Sequence, residues 1–476
     1  MSRINTNISS LQAIHRLSRN NNDLQTRMQR LSSGLKINSG KDAPAGLIAS
    51  EKLRSEITGI NQAIDNSSRA NNVINTAEGA LSEVNSLLLE VQGLTNEAAN
   101  TGALSPDEIK ANQLQVDAIL NSVNRISNTT QFGGVKLLNG QLDFTTSSVV
   151  ASAVNVVQVN AAKVPDNGSI NIAIQVTKSA EVGNVTFASS GIGAAPTTIE
   201  VSGNGGTEQL SFAASAHNSA VAVAINQLKE STGVSATVLA NGQLKLQSTE
   251  FGSKHFVSVR TINGTFTNGK DFGADAVVSI NGSQAEVDGL NASVRTGDLD
   301  VQVTLGANFA QTTAVPSGAG PGGTSNFQIV GGGAKFQIGS EVSRQGQVQI
   351  GIGSVATTKL GDNINGYLSS LGSGGANSLV GGNTIQAQKV LKAAIDQVAT
   401  LRGRLGAFQK DILDTNTNSL SVALENVTSS ESAIRDADFA SETAALTRAQ
   451  ILVQANTSVL AQANSAPQNV LSLLRG

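Results

Sequence analysis

Apolar residues recur in steps of three and four at both ends of this chain, from Ile4 to Leu35 and from Ala445 to Leu473. Such steps predict helices that each bury one stripe. Between about residues 145 and 385 the period drops to two and glycine becomes frequent, which predicts strands and turns. Helical tails on either side of a β-rich insert must find each other or find copies of themselves. The pattern therefore points to a subunit that polymerises rather than to a globule with a pocket.

In the first tail Ile4, Ile8 and Leu11 form one seam, continued by Leu17, Leu24, Met28, Leu31 and Leu35 after a phase slip near Ile14. His15, Ser18 and Asn21 fall on or beside it, and polar seam positions lower stability while fixing register. Gly and Pro between Asn38 and Gly46 break the helix. A second helix is expected from about Leu47 to Asn100, roughly 75 Å long. Its stripes are Leu53, Ile57, Ile60 and Ile64, then Ala77, Leu81, Val84, Leu88, Val91 and Ala98. Thr101-Gly102 ends it, and Ser105-Pro106-Asp107-Glu108 caps a third helix with Ile109, Val116, Ile119, Val123 and Ile126 inward. Gln131 to Gly140 reads as a turn and a short strand.

In the middle, Ile170 to Val176, Leu244 to Leu246 and Val301 to Val303 alternate at period two, and Asn-Gly pairs at 241, 263 and 281 signal hairpins. One helix near Ala220 to Lys229 gives a β–α–β–β unit. Ala314 to Thr324 reads as a loop or linker, and the middle as one or two small β-rich domains. From Ile385 the helical rhythm returns. Leu391, Ile395, Val398, Leu405 and Ile412 form one seam, and Leu413, Leu420, Val427 and Ile434 recur every seven. The last helix carries Ala445, Ala449, Leu452, Val459, Ala463, Ala466, Val470 and Leu473, with Asn456 on the seam and a kink expected at Pro467.

Composition narrows the function. Lys and Arg number 32 against 35 Asp and Glu, so no basic stripe for nucleic acid is expected. There is no Cys, which removes disulfides and thiolate chemistry. The N-terminal MSRINTNISS lacks the layout of a cleavable signal peptide. No run approaches the ~18 apolar residues of a membrane span, so no membrane insertion is expected. The three His, at 15, 217 and 255, form no HExxH and no helical pair, so neither metal nor cofactor is expected, and His15 reads as a half-buried packing residue. Gly264 to Asp271 approaches a phosphate loop, but Asp stands where Ser or Thr is needed, and a hairpin is the simpler reading. No GxSxG lies at a strand-to-helix turn. Asp436 and Asp438 share no helix face, but favour the N-terminus of a helix starting beside them. The expectation is a protein that is not an enzyme.

Four segments resemble the bacterial flagellin family: LSSGLKINSGKDAPAG (Leu31 to Gly46), TQFGGVKLLNG (Thr130 to Gly140), ESAIRDADFASE (Glu431 to Glu442) and the run from Arg448 to Gly476. With the helices between them they cover roughly the first 140 and last 90 residues. Asn184 to Arg260 is similar to a β-rich module of many flagellins. The resemblance implies an α+β fold: a long antiparallel coiled-coil and bundle core made from both termini, with a β-rich variable insert of one or two outer domains. It divides the chain into an inner coiled-coil domain (1–45 and 435–476), a helical core domain (46–145 and 385–434) and variable surface domains (146–384).

By the same resemblance the subunit polymerises into the extracellular filament, carries motor torque, and is exported unfolded through the flagellar type III route without cleavage. Its partners are then the cap protein, the hook–filament junction proteins and a chaperone on the C-terminal tail, with O-glycans on exposed Ser and Thr of the insert. Inter-subunit packing falls to Ile4, Ile8, Leu11, Leu24, Met28, Leu31, Leu35, Leu452, Val459, Ala463, Ala466, Val470 and Leu473. Helical core packing falls to Ile57, Ile60, Ile64, Leu81, Val84, Leu88, Val91, Leu405 and Ile412. Where flagellins recognised by the vertebrate innate receptor carry an arginine, in the patch from Leu88 to Leu94, this chain has Glu90, and the reversed charge implies weak receptor activation. A junction protein, an enzyme displayed in the insert and an adhesive β-domain are the rival readings; the missing HExxH speaks against the second. Small seam residues allow alternative registers, so large residues at Ala449, Ala463 or Ala466 are expected to change filament shape in electron micrographs.

Overall fold

The computed structural model describes residues 6–165, 168–310 and 323–474, with side chains through Ala466. It separates into two compact units. One is drawn from Met1–Arg69, Gln337–Gly346 and Lys410–Gly476, the other from Ala70–Phe336 and Gln347–Gln409.

Helices occur in both units. Helix α1 is Ile8–Ser33, and α2 starts at Pro44 and runs to Ala98. In chain order α3 is Pro106–Thr129, α4 Asn218–Gln227, α5 Lys229–Thr232, α6 Thr384–Ala407, α7 Thr415–Arg435 and α8 Phe439–Leu474. Within the first unit α1 lies antiparallel to α8: the Asn7 amide donates to the Ala463 carbonyl at 2.7 Å, and twenty residues later Arg27 reaches Glu442 at 3.2 Å. Gly34 ends α1 at φ 73°, a left-handed cap suited to glycine, and its N–H donates to the Arg30 carbonyl. Asp438 opens α8, its carboxylate accepting the N–H groups of Ala440 and Ser441. Pro467 lies beyond the described side chains.

Helix α2 has 55 residues, about 82 Å of rise. From Ile60 a buried row passes through Ala63, Ser67, Ala70, Ile74, Ala77, Leu81, Val84, Leu88, Val91, Thr95 and Ala98 in alternating steps of three and four, with Leu94 buried beside it. Ser67 and Thr95 enter this stripe because each hydroxyl donates to the carbonyl four residues earlier, which removes the cost of an unpaired buried polar group. In the second unit, the Ser105–Glu108 capping box starts α3, and Val116, Ile119, Leu120 and Val123 are buried while Ile109 and Ile126 are half-buried. On α6 the buried stripe passes through Val398, Leu401 and Leu405. A π-helical turn, Phe408–Asp414, then lengthens one step to five residues, from Phe408 to Leu413. That is why Ile412, expected inside, is 39% exposed while Leu413 is buried.

Residues 351–383 contain little regular structure and are tied to the helices by side chains. Gln113 donates to the Leu371 carbonyl and accepts from the Leu379 N–H; Gln397 does both with Gly361. Asn124 accepts from the Thr357 N–H and hydroxyl. These amides replace the ladder that a strand would have supplied.

The middle of the chain holds two β cores, one inserted in the other. The outer core joins a five-stranded antiparallel sheet, in the order 283–284, 277–280, 170–178, 324–332 and 144–147, to a four-stranded one in the order 286–288, 291–295, 299–305 and 154–162. Ile172, Ile174, Val301, Phe309 and Phe327 pack between them. The second core leaves and re-enters at the Glu181–Ala274 bridge. It holds the strands Asn184–Phe187, Leu244–Ser248 and Val234–Val238, a second sheet of four, and α4. The order strand 207–212, α4, strand 234–238, strand 244–248 is the expected β–α–β–β unit. Gly264 to Asp271 lies in the turn and return strand of the antiparallel hairpin Phe256–Asn263 with Gly269–Phe272, and Lys270 packs over the Phe256 and Phe272 rings. Of the expected linker, Ala314 to Gly322 falls outside the described residues, and Thr324 begins a strand.

Leu81→Ala should lower stability by about 2–5 kcal/mol through a cavity in the α2 stripe. Leu89→Ala, half-exposed on the same helix, should stay within about 0.5 kcal/mol. Urea midpoints of the two variants check this.

Candidate assembly interface

The quoted motifs near each end meet at the root of the α1–α8 pair. Leu35 pairs antiparallel with Asp436, the Lys36 N–H donates to the Arg435 carbonyl at 2.7 Å, and the Ala437 N–H donates to the Gly34 carbonyl at 2.9 Å. Arg435 reaches Glu51 on α2 at 3.0 Å. Ile37 is buried beside Gly46, where a Cβ would come within 2.7 Å of the Ile37 side-chain tip and push it aside. Asp42 closes the intervening loop: its carboxylate accepts from the Ser39 hydroxyl and N–H and from the Asn38 N–H, at 2.9, 2.8 and 3.2 Å. The Ser39 hydroxyl chiefly, then these amides, hold the Asp42 carboxyl below its usual range.

Along α1 Asn7, Ser10, Ala13, Leu17, Asn20, Leu24, Arg27 and Leu31 form a covered row, with Thr26 and Arg30 half-buried beside it; along α8 Glu442, Leu446, Ala449, Val453, Asn456, Leu460 and Ala463 form another, with Ala445 half-buried beside it. Both rows step by three and four. Ala13 and Ala449 are the buried apolar residues of the seam, so the backbones approach closely. Arg27 sits between Asp23 and the buried Glu442. Its own burial disfavours the charge, but Glu442 and Asp23 outweigh it and raise its pKa.

The expected packing residues divide between two faces. Leu24 and Leu31 on α1 and Ala463 on α8 are covered within the chain, and Leu35 is half-buried at the root. Ile8, Leu11 and Met28, with Leu452, Val459 and Ala466, lie outside and are exposed, as are Ile14 and Ile451. Asn20 rather than Asn21 faces the seam, and His15 is exposed rather than half-buried. Ile4, and the side chains of Val470 and Leu473, lie outside the described residues. Leu446, Val453 and Leu460 escaped the sequence reading because they form a row one residue out of phase with Leu452 and Val459. Both rows are apolar at the same period, so hydropathy cannot say which one faces α1; the Arg27–Glu442 pair would have set the phase.

Elsewhere Ile60, Leu81, Val84, Leu88, Val91 and Leu405 are buried, with Ile57 and Ile64 half-buried. An open groove of about 820 Å³ runs past Asp143, Asp362, Tyr367 and Arg404. The Arg404 guanidinium donates to the Asn160 and Gly351 carbonyls, and burial lowers its pKa to about 10, leaving it charged at neutral pH in a bracing role.

Comparison with known proteins assigns this architecture. The model of the bacterial flagellin N-terminal helical region matches residues 4–143, that of the C-terminal helical region residues 388–474, and the flagellin hook IN motif residues 198–250. Flagellin of Salmonella typhimurium is 31% identical over 99% of both chains, and B-type flagellin of Pseudomonas aeruginosa is 31% identical over the same shares. The chain belongs to the bacterial flagellin family. More distant solved structures include FliC from Burkholderia pseudomallei (14% identity, TM-score 0.24, 71% of this chain and 98% of that one) and the junction protein FlgL from Legionella pneumophila (15%, 0.26, 82% and 99%).

This flagellin is therefore a structural protein, not an enzyme, and a subunit of the extracellular flagellar filament that serves motility. Among the described residues no helix is long and apolar enough to cross a membrane, and no group of three or more His, Cys, Asp or Glu is placed to hold a metal. Of the three residues expected to form a receptor patch, Leu88 is fully buried, Leu94 nearly so and Glu90 is exposed.

A carboxyl depressed in the folded chain stabilises it above the unfolded value of about 3.9, and that contribution is lost as pH falls through the folded value. Asp42→Asn should therefore flatten the acid limb of stability in this flagellin below about pH 4, measured as urea midpoint against pH.

Proposed function

We propose that the exposed rows of α1 and α8 bury against other copies of this chain in the filament. The observation that carries this reading is the exposure of Ile8, Leu11, Met28, Leu452 and Val459 on a helix pair whose other face is already occupied. A monomer keeps so much apolar helix surface open only when something covers it later. In this reading residues 1–45 and 435–476 form the inner coiled-coil tube, 46–145 and 385–434 the helical layer around it, and 146–384 the projecting surface. Long helices packed lengthwise resist stretching, which suits a polymer that carries torque.

The family relationship also supports the assembly route. The chain is exported without a cleaved signal peptide, its C-terminal tail held beforehand by a chaperone. It is then added beneath the cap protein, on a base of hook–filament junction proteins. Exposed Ser and Thr of the two β cores are the candidate sites for O-glycans.

The test is seeded growth. Leu452→Asp with Val459→Asp should keep the monomer helical by circular dichroism while raising the concentration needed for polymerisation by about 100-fold. Val223→Asp, equally exposed but on α4 of the inserted core, should polymerise normally. Normal growth of the double variant on filament seeds, observed by sedimentation, would refute the assignment of this face.

A further inference from the structure

The chain contains eight Asn-Gly pairs, a sequence prone to self-modification because glycine leaves its own backbone nitrogen unhindered. Seven of these asparagines are described, Asn167 lying outside. In six the side-chain amide is held. Asn139 accepts from the Gln141 N–H, Asn268 from the Thr261 N–H and Asn281 from the Ala173 N–H. Asn204 both accepts from Phe256 and donates to Lys254; Asn241 does the same with Gln243. Asn365 donates to Asp362. The seventh, Asn263, is exposed, and its amide makes no hydrogen bond among the described residues. It ends the strand Phe256–Asn263 just past a bulge between Thr261 and Asn263.

The residue after it has to be glycine. Gly264 sits at φ 86°, and a Cβ there would lie 2.3 Å from the Thr197 hydroxyl oxygen and 2.8 Å from the Pro196 carbonyl. Packing in the inserted β core thus requires a labile pair, at the position where its asparagine is least restrained.

The geometry points to Asn263 as a built-in deamidation site whose conversion records the age of the subunit. The Gly264 nitrogen attacks Cγ of Asn263, its proton passing to solvent. The Cγ–Nδ2 bond breaks, ammonia leaves with a proton taken from solvent, and a succinimide forms. Water then opens the ring at either carbonyl, giving aspartate or isoaspartate and one added negative charge on the exposed face of the inserted β core. The paired terminal helices take no part.

The test incubates the full-length protein in mildly alkaline buffer, native and in urea, and follows all seven described pairs by peptide mapping with isoaspartate detection. In the native protein the other six should lag Asn263 by about five-fold for each hydrogen bond that must open first. In urea the seven rates should draw together. Asn263→Gln should remove the earliest acidic species on isoelectric focusing. The proposal is overturned if any of the six keeps pace with Asn263 in the native protein, if Asn263 stays unconverted, or if its lead persists undiminished in urea.

Discussion

The antiparallel seam between α1 and α8 joins residues at opposite ends of the chain: Asn7 and Ala463 touch although 456 positions separate them. Closing so long a loop costs conformational entropy, but that cost grows only with the logarithm of length, so one well-matched helix pair can meet it. The seam is matched by shape more than by hydrophobic mass. Ala13 and Ala449 let the helices approach, and Arg27 with Glu442, backed by the Leu35–Asp436 bridge, fixes the register. Leucines alone would have been less particular about partner and phase; the alanines and the charge pair among them supply the specificity.

That economy leaves the outer rows of the same helices free. A helix with two apolar stripes side by side can satisfy one partner within the chain and others outside it. The inner seam mixes leucines with small and polar residues, and the outer rows carry the exposed Ile8, Leu11, Met28, Leu452 and Val459. The stripe of α2 behaves differently: from Ile60 to Ala98 its steps never falter, and its two hydroxyl residues bond back onto their own helix. It is built for a permanent core.

The β-rich middle has its own apolar cores and meets the helices at a few polar contacts, such as Arg404 with the Asn160 carbonyl and Lys389 with Glu230. Each of its cores closes on its own apolar cluster, and the inserted one leaves and returns at neighbouring strands. The cost of compact turns is a reliance on glycine in left-handed positions. Asn281-Gly282, with both residues at positive φ, is one case, and Gly264 another.

Helical periodicity, the break at Asn38 to Gly46, the cap at Ser105 and the β–α–β–β order were all legible in the sequence, because each is set by local sterics and hydrogen bonding. So was the α2 stripe from Ala77 to Val91, whereas Ala63, Ser67, Ala70, Ile74 and Thr95 were missed; the small and hydroxyl residues among them carry little hydropathy signal. The sequence could not say which of two equivalent rows on α8 turns inward, because hydropathy has a period but no absolute phase. Nor did it show the five-residue step that exposes Ile412 and buries Leu413. It also could not show that glutamine and asparagine side chains hold residues 351–383. Those outcomes depend on long-range contacts: a charge pair 415 positions apart, a helix that changes pitch, and amides meeting backbone from distant segments. Local chemistry determined the elements of this flagellin, and tertiary packing decided which of their faces remain open for assembly.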